Sequence, residues 1–90
     1  MVLRGLMNTK YIIIEIENVG VLPIIFYGVI SHNDMLTSIR NAYPNCKVES
    51  AGFVSIGGAG IKAYGKSVSL DISSRPEIDS LLLTMFMVDK

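Results

Sequence analysis

Residues 47–72, KVESAGFVSIGGAGIKAYGKSVSLDI, decide the fold of this chain. Apolar residues alternate with small or polar ones on both sides of residues 57–60, and this period of two is typical of strands with one buried face. The turn is rich in glycine, which adopts positive φ without strain. The segment predicts two antiparallel strands, and a change of parity after Ala63 predicts a β-bulge at or near Gly65.

An earlier stretch, residues 11–30, has the pattern of a first hairpin. Residues 11–17, YIIIEIE, place Ile12 and Ile14 on one face and Glu15 and Glu17 on the other, which predicts a strand with one solvent-exposed face. Turn-forming residues follow at 18–20. The strand predicted over residues 22–30 contains Pro23, which has no amide hydrogen and therefore favours the edge of a sheet.

Two segments have the features of helix starts. Ser31 with Asp34, and Ser74 with Glu77, match the capping arrangement in which a hydroxyl and a carboxylate bind free backbone amides. Proline at position 44 ends the first predicted helix. The second is predicted over residues 75–88.

The predicted element order is β-β-α-β-β-α in a single domain over residues 1–90, with residues 1–9 frayed or irregular. A four-stranded, mainly antiparallel sheet with both helices packed on one face would bury the apolar side of each element. We therefore expect an α+β fold with two layers.

The composition excludes several classes of protein. Half of the residues are hydrophobic and 18% are charged, as in folded globular domains. Eight basic residues balance eight acidic ones without clustering, so we expect neither a nucleic-acid partner nor membrane binding. Cys46 is the single cysteine, which excludes an internal disulfide and a thiolate zinc site. We expect a cytoplasmic protein without metal or cofactor.

Residues 60–67, GIKAYGKS, match the pattern G-x-x-x-x-G-K-[ST] of phosphate-binding loops. Such a loop must lie between a strand and a helix whose amides converge on phosphate. Here Ser67 opens the alternating run SVSLDIS, which predicts a strand instead. We interpret the match as accidental.

No set of residues in the sequence predicts catalysis. His32 is the only histidine, and beside Ser31 and Asp34 it is interpreted as a residue at the boundary of a helix, since those two side chains are used in capping. Cys46 has no base near it in sequence, as a nucleophile requires. We expect that the protein is not an enzyme.

Ser74 and Arg75 give the best prediction of a ligand site. Free amides, the helix dipole and a guanidinium all favour an anion at a helix start, and Lys66 would add a second cation for a nucleotide or phosphate. The alternative is that Arg75 pairs with Glu77 or Asp79. We keep both.

The second helix is more apolar than one sheet requires. At 100° per residue, one apolar arc is wide, and Leu83 and Met87 form a second strip away from it. The wide arc contains Ile78, Leu81, Leu82, Met85, Phe86 and Val88. We predict that Leu83, Met87 and the neighbouring Phe86 contact another subunit or a partner protein, so that the chain is a homo-oligomer or binds a protein.

Three groups of residues in the second half carry a resemblance: residues 50–53, SAGF, residues 64–67, YGKS, and residues 74–77, SRPE. In these groups the chain resembles small uncharacterised proteins encoded by tailed phages and prophages. The resemblance implies an accessory phage protein that acts in the host cytoplasm by binding a host or viral protein. The sequence thus predicts a non-enzymatic interaction module, with a small-ligand-binding protein as the alternative.

Overall fold

The computed structural model describes residues 9–87. In chain order it contains β1 (Lys10–Ile16), β2 (Gly20–Phe26), α1 (His32–Ala42), β3 (Lys47–Gly57), β4 (Gly60–Tyr64), β5 (Lys66–Ser67), β6 (Ile72–Ser73) and α2 (Pro76–Met87). The predicted order is confirmed, with one short additional hairpin, β5–β6, before the last helix.

Strands β1 to β4 form one antiparallel sheet in the order β2-β1-β3-β4, so the predicted α+β class and four-stranded sheet are confirmed. The prediction from Pro23 is also confirmed, since β2 lies at an edge of this sheet. Strand β1 is central. Its residues Tyr11, Ile12, Ile13 and Ile14 are completely buried.

The two helices cover opposite faces of the sheet, which differs from the expected arrangement with both on one face. Ile12 and Ile14 form a core with Leu36 and Ile39 of α1. Tyr11 and Ile13 form a second core with Leu83 of α2. Successive side chains of a strand point to opposite faces, so the run of four buried residues in β1 requires cover on both sides. The exposed face expected for this strand is limited to its end, at Glu15.

The predicted start of the first helix is confirmed, whereas the second helix begins differently. The Ser31 hydroxyl accepts a hydrogen bond from the backbone N–H of Asp34 at 3.0 Å. The Ser74 hydroxyl instead donates to the carbonyl of Gly65 at 2.7 Å, and the Asp79 carboxylate accepts the N–H of Arg75 at 2.9 Å. The Asp79 side chain, one turn inside α2, therefore caps the start of the helix at Pro76.

The central hairpin of residues 47–64 is confirmed, but the predicted continuation of its second strand is wrong. Strand β4 ends at Tyr64, because Gly65 adopts φ +77° and turns the chain out of the sheet into β5. The parity change after Ala63 comes from this exit and not from a bulge. The register shift lies on β3, where Ile13 pairs with Ser50 and Ile14 with Val48, which leaves Glu49 as the extra residue.

Gly52 allows the chain after β4 to pass close to β3. A Cβ atom at this position would lie 2.6 Å from the carbonyl oxygen of Tyr64 and 3.1 Å from the Cβ of Ser74. Only glycine leaves room for this approach. The segment before α2 is thereby held against the sheet.

The predicted irregular segment, residues 1–9, falls almost entirely outside the described residues. Thr9 is described, and it is buried. Its carbonyl accepts the N–H of Val54 at 2.9 Å. Thr9 therefore belongs to the packed structure.

Candidate functional site

The C-terminal helix α2 presents a stripe of large apolar side chains to solvent. Ile78, Leu81, Met85 and Phe86 are 53%, 62%, 64% and 51% exposed. At 100° per residue these four positions span about 140° of the helix circumference. We call them the outer face of α2. Grouped apolar side chains of this size mark contact sites on protein surfaces.

The opposite side of α2 is the side that packs on the sheet. Leu83 is completely buried, and Leu82 is partly buried against the same core. The other members of that core are Tyr11, Ile13, Val54 and Ala63, with Ile25 and Ile61 at its margin. Most of the wide apolar arc predicted from the sequence thus faces outward, although its Leu82 is partly buried. Of the narrow strip, Leu83 lies in the core and Met87 is exposed.

A buried polar cluster explains this orientation of the helix. Asp79 is completely buried beside Leu83. The Tyr11 hydroxyl donates to its Oδ2 at 2.5 Å, and the Arg75 guanidinium donates to its Oδ1 at 3.0 Å. Together with the N–H of Arg75, these donors satisfy both carboxylate oxygens. A buried carboxylate is tolerated only when it is paired in this way.

Tyr11 acts in this cluster as a neutral donor. Burial in the core raises the pKa of the Tyr11 hydroxyl well above its ordinary value, and the neighbouring Asp79 carboxylate raises that pKa further. The hydroxyl therefore stays protonated at physiological pH and donates a hydrogen bond to the Asp79 carboxylate. This arrangement is structural, because Tyr11 and Asp79 are both closed to solvent.

The cluster also connects α2 to the bulge on β3. The Arg75 guanidinium lies 3.8 Å from the carboxylate of Glu49, the extra residue of the bulge. Both side chains are about one-third exposed. The pair adds a contact between the start of the helix and the sheet, although a partly exposed pair contributes little to stability.

The second contact that orients α2 is made by Ser80. Its hydroxyl accepts a hydrogen bond at 2.8 Å from the N–H of Ala63 in β4. Strand β4 lies at an edge of the sheet, so this hydroxyl satisfies an amide that a further strand would otherwise bind. Asp79 and Ser80 together fix which side of the helix faces inward.

The structure brings the predicted ligand residues Ser74, Arg75 and Lys66 near Gly65, but each has a protein partner. Ser74 is bonded to Gly65, and Arg75 pairs with Asp79, the alternative that the sequence left open. Lys66 lies 3.4 Å from Asp71 in an exposed pair. An anion would have to displace carboxylates that already neutralise Arg75.

Among the predicted interface residues, Leu83 is not available to a partner because it lies in the core. Phe86 and Met87 are exposed. The predicted interface did not include Ile78, Leu81 and Met85, which the sequence placed in the wide apolar arc. The signal that could have found them is the spacing of Arg75, Asp79 and Leu83, four residues apart, which identifies one continuous inward line with a paired charge.

The remaining motifs are structural. Ser67 is the last residue of β5 and is followed by a turn, so the phosphate-loop pattern lacks the helix that its chemistry needs. Cys46 is buried. No group of three or more potential metal-ligating side chains occurs in residues 9–87, and no helix described there is long and apolar enough to cross a membrane.

His32 is the first residue of α1, which confirms its interpretation as a residue at a helix boundary, and it also lies in the core. It is 4% exposed, and its Nε2 donates to the carbonyl of Gly52 at 2.8 Å. The rings of Phe26 and Phe53 contact the imidazole edge to face. Burial lowers the pKa of His32, and the positive charge of Lys10 lowers it further. The ring is therefore neutral at pH 7.

Comparison with known proteins adds no candidate. No family model matches the chain, and neither the search of curated proteins nor that of solved structures found a match.

Proposed function

We propose that this chain is a small protein-interaction module without enzymatic activity, and that it binds a protein partner through the outer face of α2. The observation that carries the proposal is the exposure of four large apolar side chains on one side of a single helix. Covering such a surface with another apolar surface is favourable by about 25 cal/mol for each Å² removed from water.

The helix cannot cover this surface by rotating on the sheet. Rotation would break the hydrogen bonds of Tyr11 and Arg75 to Asp79 and that of Ala63 to Ser80. Leaving a buried carboxylate without donors is strongly unfavourable. Within residues 9–87 the outer face therefore stays exposed, and a second molecule would cover it.

The charge of α2 supports a protein as the partner. In its described part the helix carries two acidic residues, Glu77 and Asp79, and no basic residue. Amphipathic helices that lie on anionic membranes carry Lys and Arg on their polar side, and nucleic-acid-binding surfaces are also basic. Asp79 is buried and paired with Arg75, so over Pro76–Met87 α2 exposes one acidic residue, Glu77, and no basic residue, which suits neither class.

The resemblance of residues 50–53, 64–67 and 74–77 to small phage proteins supports a biological setting. In this proposal the chain is an accessory protein of a phage or prophage that acts in the host cytoplasm on a host or viral protein. The alternative, binding of a small anion by Ser74, Arg75 and Lys66, has less support because Arg75 is already paired with two carboxylates.

A double variant with a matched control tests the proposal. Leu81→Asp with Met85→Asp places two charges on the outer face, and Val29→Asp places one on a turn elsewhere that is even more exposed. Tagged chains are compared in cells of the natural host. A partner recovered with the parent and with Val29→Asp, but not with the double variant, supports the proposal. Partners that are unaffected by the double variant contradict it.

A further inference from the structure

The residues of the outer face have the spacing of a helix-packing seam. Ile78, Leu81 and Met85 are separated by three and four residues, and Phe86 directly follows Met85. This spacing places side chains in one narrow line and favours packing against another helix at about 20°. Helix α2 has 12 residues and is thus about 18 Å long. The seam runs along most of that length.

The seam contains no charged side chain that could select a partner of opposite charge. Its four residues are apolar, and the exposed charge beside them is Glu77 at the N-terminal end of the helix. A partner must therefore present an uncharged apolar stripe of similar length. A second α2 presents such a stripe.

The exposed area is compatible with self-association. At roughly 200 Å² for a large side chain, the exposed fractions of the four residues leave on the order of 450 Å² of apolar surface. Joining two copies would bury about 900 Å² of this surface in total, slightly below the roughly 1,000 Å² of a stable interface and in the range of a weak, transient one. We expect a dimer that dissociates on dilution.

The orientation of the two helices follows from their charges and from the symmetry of the seam. A parallel pair would place two Glu77 side chains together and align the two helix dipoles, whereas an antiparallel pair separates the carboxylates and opposes the dipoles. The midpoint between Ile78 and Met85 lies between Leu81 and Leu82. A twofold axis at that point would place Ile78 of one copy beside Met85 of the other.

We infer that the partner bound by the outer face of α2 is a second copy of this chain, with the two α2 helices antiparallel across a twofold axis. The inference rests on the proposed function and gives its partner. Contacts of this kind are isologous, because the same four residues serve both copies.

Sedimentation equilibrium of the purified chain tests whether the partner is a second copy. We expect the apparent mass to rise to twice that of the chain as concentration increases through roughly the micromolar range. Leu81→Asp should remove this rise, and Val29→Asp should retain it. A dimer that Leu81→Asp does not dissociate overturns the inference.

Disulfide trapping tests the orientation. Ile78→Cys and Met85→Cys chains are mixed and oxidised gently, with the parent, which carries only the buried Cys46, as the control that should not cross-link. In an antiparallel pair, position 78 of one copy lies beside position 85 of the other, and this proximity raises the effective concentration of the two thiols. We therefore expect the mixed 78–85 disulfide in at least about fivefold excess over the symmetric 78–78 and 85–85 disulfides. An excess of the symmetric products overturns the inference.

Different experimental results would overturn the second copy as partner and the proposed function. A chain that stays monomeric, yet loses a cellular partner on Leu81→Asp with Met85→Asp, overturns the second copy as occupant and leaves the proposed function standing. A monomer for which the outer face affects no partner overturns both.

Discussion

At the scale of single residues, the buried Asp79 sets the orientation of α2. A carboxylate in an amphipathic helix normally marks its solvent side, but here the Tyr11 hydroxyl and the Arg75 guanidinium bind both of its oxygens inside the core. The helix consequently turns Leu83 inward and Ile78, Leu81 and Met85 outward. One satisfied polar residue thus decides which surface the molecule presents.

Replacing Tyr11 by Phe is predicted to destabilise the fold. The variant keeps the ring but removes the hydroxyl that donates to Asp79, so the free energy of unfolding should fall by about 1–3 kcal/mol. Chemical denaturation measures the change. Tyr27→Phe is the control, because Tyr27 is largely exposed and its substitution should leave the denaturation midpoint unchanged.

His32 is predicted to make stability depend on pH. Burial holds its pKa in the folded chain below the ordinary value, which is about 6.5 in an unfolded chain. The unfolded state therefore binds more protons as the pH falls below about 6.5, and the free energy of unfolding declines from there through the folded pKa. Urea denaturation at pH 7.5, 6.5 and 5.5 measures the slope. A His32→Gln chain with an equal slope would refute this assignment, since the chain has one histidine.

Gly52→Ala is predicted to be destabilising by about 2 kcal/mol or more, although alanine ordinarily stabilises a chain relative to glycine. The added Cβ would meet the carbonyl oxygen of Tyr64 at 2.6 Å, and backbone cannot yield as a side chain can. Thermal unfolding measures the loss. Gly58→Ala, where no atom lies within 4 Å of the added Cβ, should be neutral.

At the scale of elements, α2 has two sides with different tasks. The inner side closes the second core and binds the β4 edge through Ser80, while the outer face has no cover within residues 9–87. Substitutions on the two sides should therefore have different effects even when the chemical change is identical.

Leu83→Ala and Leu81→Ala form a matched pair of this kind. Leu83 is completely buried and its truncation should cost about 2–5 kcal/mol, whereas Leu81 is mostly exposed and its truncation should cost less than about 0.5 kcal/mol in dilute solution. Denaturant titration at low chain concentration measures both. Equal effects would show that the helix faces the sheet differently.

Local sequence patterns were sufficient to predict most elements. The Ser31 cap, the turn at residues 57–60 and the edge position of Pro23 each depend on chemistry within a few residues, and all three are confirmed. The bulge was misplaced because its cause is not local. The parity change that predicted it comes from Gly65, where the chain leaves the sheet and where an added Cβ would lie 3.1 Å from the ring of Phe53 on β3.

The candidate site could be predicted only in part. The excess of apolar residues in the last helix is visible in the sequence, and it indicates a surface that needs cover. Which strip is exposed depends on Tyr11, 68 residues away from Asp79 along the chain. A helical wheel cannot contain that information, so the predicted interface included Leu83 and omitted Leu81.

At the scale of the whole molecule, the sheet is a middle layer between two helices, and only one helix has a large apolar surface on its outside. If two copies join there, folding and association become linked, because binding to the folded state stabilises it.

A hundredfold increase in chain concentration, taken within the range where the dimer forms, should raise the melting temperature by about 5 °C or more, since a domain of this size gains several degrees per kcal/mol. Differential scanning calorimetry at two concentrations measures the shift. The melting temperature of Leu81→Asp chains should be the same at both concentrations. A concentration-dependent shift in this variant would contradict a dimer formed through the outer face of α2.

The edge strand β2 has a consequence for how far assembly can proceed. Its middle residue, Pro23, pairs with Ile13 of β1 and offers no N–H to a strand arriving from outside. At the opposite edge, β4 already gives the Ala63 amide to a hydroxyl. Neither border can readily act as a template for cross-β growth, which protects a chain this rich in isoleucine and valine from fibre formation when it is abundant.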